Sequence, residues 1–252
     1  MTSDESMNLN RRKLQVLAVS FTKLLFGILF LVGSIYTHTD LLLKLGKVCD
    51  GSISCVVDFM SGFLLAGAGF LLVSVIIEGV ITGYEGIYGT FLNSIGSMLL
   101  FGAIAAELEA GRLGINAQKI PNLIGGLWTT AGFCIMIGQV SLAWSQKFQG
   151  VWITVSYVIS FIGAIFLTAA GAMRTDHAIE KYKDIEKYFD TLADIMIVGS
   201  IFYMIHSFVY GFALSNYKLD EGSKKEDNGG SEIVFPVAPL TRANAEPNPN
   251  AV

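Results

Sequence analysis

Apolar residues gather along this chain into long, nearly unbroken runs with short polar stretches between them. Six runs can be drawn, over 14–36, 56–77, 87–106, 122–144, 151–173 and 192–216. Each has roughly the 17 to 25 residues that cross the hydrocarbon core of a bilayer as a helix. Each must be helical, because a lone strand would leave its backbone groups unpaired in lipid. Barrel strands would be shorter and would alternate, and these runs do not. The expected fold is all-α: a polytopic membrane protein, a bundle of about six transmembrane helices with a disordered C-terminal tail. The expected divisions are a polar N-terminal segment (1–13), the transmembrane domain (14–217) and the tail (218–252), whose Pro, Asn, Gly and charge cannot offset the entropy of ordering it.

Composition agrees. Of 252 residues, 52% are apolar and only 15% charged, against about 25% charged in soluble domains. The net charge of −4 gives no electrostatic case for nucleic acid. The start is too polar and the first run too long for a cleaved leader, so the first run reads as a spanning helix. Six crossings put both ends of the chain on one side. Lys and Arg near the span ends number seven on that side and eight on the other, so the positive-inside rule does not orient the bundle by count. "RRK" before the first span favours cytoplasmic termini. That orientation puts "CDGSISC" on the outer or lumenal side, where Cys49 and Cys55 could close a small disulfide loop. No His or Cys cluster around them suggests a metal, and no motif names a cofactor.

Within lipid, helices associate through close packing of small residues. The fifth span carries Ser156, Ser160, Ala164, Thr168 and Ala172 at steps of four. The fourth carries Gly126, Thr130, Cys134 and Gly138, and the second Gly62, Ala66 and Gly69. These stripes are expected to face protein, with the fourth and fifth spans as a candidate pair. The first span is bulky (Leu24, Leu25, Phe26, Ile28, Leu29, Phe30, Leu31) and is expected to face lipid over much of its girth. Tyr36, Trp144, Trp152 and Tyr217 sit near span ends, as interface anchors do.

Ionisable groups inside spans are costly and are functional candidates by default. Lys23 lies some way into the first span and is expected to snorkel toward the headgroups. Glu78, Glu107 and Glu109 read as closing spans, and Asp194 as opening one. His206, in "YMIHSFVYG", stands alone at the centre of the last span. An interhelical hydrogen bond is the plain expectation for it, and a proton relay would need a second ionisable group at similar depth. Gln139 is the remaining polar candidate. The segment 174–190 shows Ile179, Tyr182, Ile185 and Phe189 at helical spacing, and is a candidate docking surface for a partner or for lipid headgroups. The glycines of "EGVITGYEGIYGT" suit a turn between spans or a binding loop.

Several classes are excluded by missing residues. There is no P-loop, no His-Glu-x-x-His and no Gly-x-Ser-x-Gly. The last span has no lysine for a retinal Schiff base, no span repeats arginine, and no Thr-Val-Gly-Tyr-Gly filter is present. An enzyme is not expected. The leading expectation is a scaffold or subunit of a membrane assembly, with the bilayer and protein partners met through small-residue helix faces. The alternative is a small-solute or ion permeation protein lined by Lys23, Thr130, Gln139, Ser160 and His206.

Overall fold

A computed structural model describes residues 3–113, 120–145, 150–175 and 185–227. Among these residues there are seven α-helices, one 3-10 turn and no strand. They are α1 (Ser3–Ile35), α2 (Thr39–Val48), α3 (Ile53–Thr82), α4 (Ile87–Leu113), α5 (Ile120–Ser145), α6 (Val151–Met173) and α7 (Ile185–Asp227). All but α2 are long and apolar enough to cross a bilayer, so the chain is a multi-pass integral membrane protein built as a helical bundle.

Three boundaries differ from expectation. α1 begins at Ser3, eleven residues before the first apolar run, and α7 runs to Asp227, past the polar step at Lys218. Glu, Lys, Arg, Leu and Met in these extensions are good helix formers, and a helix already nucleated in lipid propagates at little cost. Residues 228–252, where most of the tail was expected, lie outside the described residues. The third difference is α2, a ten-residue helix in the first connection. Asp40 in its first turn and Lys47 in its last suit the helix dipole, and Leu45 is buried. Asp50 and Gly51 then turn the chain with φ of 50° and 76°, and Ser52 caps α3 by accepting from the Cys55 backbone N–H. "EGVITGYEGIYGT" forms the end of α3, a tight Gly83–Gly86 turn and the start of α4. Tyr84 and Tyr88 are exposed there, and a groove of about 370 Å³ runs between α3 and α4 on the outside.

The six spanning helices form a closed ring. α1 packs on α3, α3 on α4, α4 on α5, α5 on α6, α6 on α7, and α7 returns to α1. The Ser3 end of α1 and the Asp227 end of α7 share one end of the ring, hereafter the terminal face. The Cys49–Cys55 loop marks the other, the disulfide face.

Burial follows alternating steps of three and four. Along α1 and the turn after it this rhythm runs through buried Val19, Lys23, Phe26, Phe30, Gly33 and Thr37. On α3 it runs through Met60, Leu64, Gly67, Leu71, Ser74 and Glu78, and on α7 through Leu192, Met196, Gly199, Tyr203, His206 and Tyr210, with flanking positions such as Ser34, Ser61, Ala68, Val75, Ala193, Ser200 and Ser207 buried beside them. A 3.5-residue repeat keeps one seam of a helix facing its neighbours over many turns, as in antiparallel bundles. The core of the ring holds Phe26, Phe30, Leu64, Leu100, Ile104, Trp128, Ile135, Leu167 and Tyr203. Phe30 of α1 and Trp128 of α5 are not on adjacent helices, yet their rings lie 5.8 Å apart, so they meet across the interior. Phe26 and Phe30 therefore face the core and not lipid.

Candidate functional site: a buried charge cluster in the ring

Side chains from four helices converge near the terminal face. Lys23 (α1), Glu78 (α3), Tyr157 (α6) and His206 (α7) are all at most 2% exposed. Lys23 does not snorkel. Its Nζ donates to Glu78 Oε1 at 2.9 Å and Oε2 at 3.0 Å, and lies 3.1 Å from His206 Nε2. An ammonium has three protons, and these are its three partners. Nζ also sits 4.7 Å from the Tyr210 ring centroid, close enough for a cation–π contribution.

The tautomer of His206 follows from its neighbours. Its Nδ1 is 2.7 Å from the Ser156 backbone oxygen. A carbonyl only accepts, so Nδ1 carries the proton and Nε2 offers its lone pair to Lys23. Tyr157 donates its hydroxyl to Glu78 Oε1 at 3.1 Å. The result is one connected network: Tyr157 and Lys23 both donate to Glu78, and Lys23 also donates to His206, which donates to the Ser156 carbonyl. Removing two charges from water is costly, and this pairing offsets the cost only because every valence is met. Heavy-atom separations of 2.9–3.1 Å along the network are within proton-transfer reach. A proton can pass from Nζ to Glu78, or from Nζ to Nε2, without movement of a backbone.

The same layer carries polar groups from the remaining two helices. Asn93 (α4) and Gln139 (α5) are 0% and 4% exposed, at the level of the charge cluster. Lys23, Glu78, Asn93, Gln139, Tyr157 and His206 stand between four and nine residues from the terminal-face end of their spans. Every spanning helix thus contributes to one polar layer about 6–14 Å deep, at 1.5 Å per residue.

A second buried pair lies toward the disulfide face. Arg174, which caps the end of α6, donates from Nη1 to Glu107 Oε1 of α4. Its guanidinium stacks 4.3 Å from the Trp128 ring, with Met196 Sδ 3.7 Å from Nη2. Beyond it, His38 bridges two carboxylates of α7, with Nδ1 3.1 Å from Asp190 and Nε2 3.2 Å from Asp194. Its two nitrogens point at different carboxylates, so the three residues do not converge on one ion. Among the described residues no group of His, Cys, Asp and Glu could hold a metal.

The small-residue stripes divide. Ser156, Ser160 and Ala164 are buried, Thr168 is half-buried and Ala172 is exposed. Steps of four drift about 40° each around a helix, so the stripe turns about 160° from end to end. Gly138 is buried against Asn93 and Gly89 of α4, but Gly126 and Thr130 are exposed and Cys134 is half-buried. The fourth and fifth spans do pack together, through Thr168 of the stripe and through residues outside both stripes. A side-chain carbon at Gly132 would meet the Thr168 backbone at 2.9 Å, and Gly125 and Gly171 are equally close to the facing helix. On α3 the close approach is made by Gly67, at the Phe26 carbonyl, while Gly62 is in open space. Cys49 and Cys55 are joined as a disulfide. Of the 174–190 segment, 176–184 lie outside the described residues.

Glu78 is the member of the cluster that sequence reading misplaced. The three–four register 60–64–67–71–74–78 runs straight through it, and Val80 and Ile81 continue the apolar run. That register, and not the charge, was the signal. Scans against protein-family models, curated proteins and solved structures return no match.

Proposed function

We propose that the Lys23–Glu78–His206 cluster is a proton-exchange site, and that the protein is a non-enzymatic permeation protein moving protons, alone or with a small solute. One observation carries this reading. A single ammonium lies within 3.1 Å of both a carboxylate and an imidazole lone pair inside a closed helical ring. Ionisable groups so placed in membranes are typically parts of proton or ion pathways. Gln139 and Ser160, also buried, belong to the same interior, whereas Thr130, exposed on the outside of α5, has no part in it. The terminal face is cytoplasmic in this proposal. "RRK" before the first span and a disulfide on the opposite face both support that orientation.

Purified protein in liposomes with an internal pH dye tests the reading. Wild-type protein is expected to carry protons, and Glu78→Gln to slow the flux by about a hundredfold, the scale of a lost acid–base group. Tight wild-type vesicles, or an unchanged Glu78→Gln rate, would overturn it.

A scaffold or assembly subunit is the second reading. It is favoured by the same network's complete pairing, which suits a lock that fixes helix register. Partners would then meet the 174–190 segment or small-residue helix faces. Stable co-purification of another membrane protein, with proton-tight vesicles, would select it.

A further inference from the structure

Asn93 and Gln139 stand in the polar layer, but not in its hydrogen-bond network. Among the described residues Asn93 Nδ2 and Oδ1 and Gln139 Oε1 are buried and without a partner, on side chains 0% and 4% exposed. Buried polar groups are nearly always paired, by protein or by ordered water. These three atoms define what must pair with them. Asn93 Nδ2 needs an acceptor, which excludes a cation as sole occupant. Asn93 Oδ1 and Gln139 Oε1 need donors, which excludes a simple anion. A neutral molecule that both donates and accepts satisfies all three, and water is the smallest. The two residues lie on neighbouring helices, α4 packs also on α3, and α3 carries Glu78. Each is six residues from the terminal-face end of its span, and Glu78 is four. Along α4 toward the disulfide face come Gly96 and buried Ser97, whose hydroxyl donates to the Asn93 backbone oxygen, and then Leu100 and Ile104, apolar and fully buried, where the polar path stops.

We propose that Asn93 and Gln139 hold ordered water inside the ring, and that this water is the half-channel linking Glu78 to the terminal face. This rests on the proton-exchange reading for its purpose, though not for its existence. A hydronium at the terminal face would hand its proton along the water to a Glu78 oxygen and leave a neutral water behind. On the far side the Phe30–Trp128 contact closes the interior, so access to Glu78 is from one face only.

Water-edited solid-state NMR on wild-type protein in acyl-deuterated phosphatidylcholine tests this directly, because that headgroup carries no exchangeable proton. The Asn93 side-chain amide is expected to receive water magnetisation about tenfold faster than the Leu100 methyl groups, as a group in contact with bound water does. Equal, slow transfer to both would overturn the proposal. In the liposome assay Asn93→Leu is expected to slow flux while leaving the folded ring intact by circular dichroism. The two failures are separable. A wet Asn93 with flux indifferent to Glu78 sinks the proton-exchange reading and leaves the water site standing. Flux that depends on Glu78 with a dry Asn93 sinks the half-channel alone.

Discussion

The two buried ion pairs sit toward opposite ends of the ring and are built differently. Lys23 and Glu78 are 2% and 1% exposed, join adjacent helices, and have His206 and Tyr157 to complete them. Arg174 and Glu107 are 8% and 19% exposed and reach across α5, from α6 to α4. Among the described residues Arg174 Nε, Glu107 Oε2 and the stacked Trp128 Nε1 have no partner. Glu107 is three residues from the end of its span and Arg174 one residue beyond its own. One pair is closed, and its charge is held wholly by protein. The other is a staple near the edge of the bilayer, with one carboxylate oxygen on Arg174 and the other buried and unmatched among the described residues. A charge can be moved within the first because all its alternatives are already in place. The second offers no such set.

Breaking the closed pair should be the largest effect. Glu78→Leu leaves an uncompensated ammonium in the interior and is expected to cost about 3–5 kcal/mol, read by reversible unfolding in micelles. The double variant Lys23→Met with Glu78→Leu should recover most of that loss. If the double variant is as unstable as the single, the pair is not an isolated unit and the comparison fails. Arg174→Met should cost less, about 1–3 kcal/mol, because this pair is incompletely matched to begin with and lies close to the end of its span. A loss equal to that of Glu78→Leu would erase the distinction between the two ends. His38→Ala removes the exposed bridge to Asp190 and Asp194. It is expected to cost at most about 1 kcal/mol, as exposed ion pairs do, and to leave the Lys23 cluster unperturbed by the His206 imidazole NMR signals.

Much of this was legible in the residues. The six runs became six spanning helices because run length and bilayer thickness leave no other solution. His206 was singled out by its isolation, and its bond to the Ser156 carbonyl is the interhelical contact expected of a buried imidazole. Lys23 was misjudged because snorkelling is the cheapest course for a lone lysine. Only the approach of α3 makes staying inside cheaper. Glu78 was taken as a boundary because charge was weighed above register. The Gly126 stripe was drawn at steps of four, whereas the ring's seams advance by alternate threes and fours. Asn93 carried no sequence signal apart from its place in such a seam, between Gly89 and Gly96. The helix α2 was missed because its ten residues are too few to span a bilayer.

Closure of the ring through α7 and α1 has a consequence for how the molecule is made. Synthesis proceeds from the N-terminus, and Lys23 emerges 55 residues ahead of Glu78 and 183 ahead of His206. The first helix must enter the bilayer with its ammonium unmatched, and is relieved in part when the third arrives. Until the last segment inserts, the assembly is an open arc with a raw edge on each flank. The ring therefore closes with the step that brings in the imidazole, so a chain abandoned before it would leave Lys23 short of a partner, a charge by which quality control could find it.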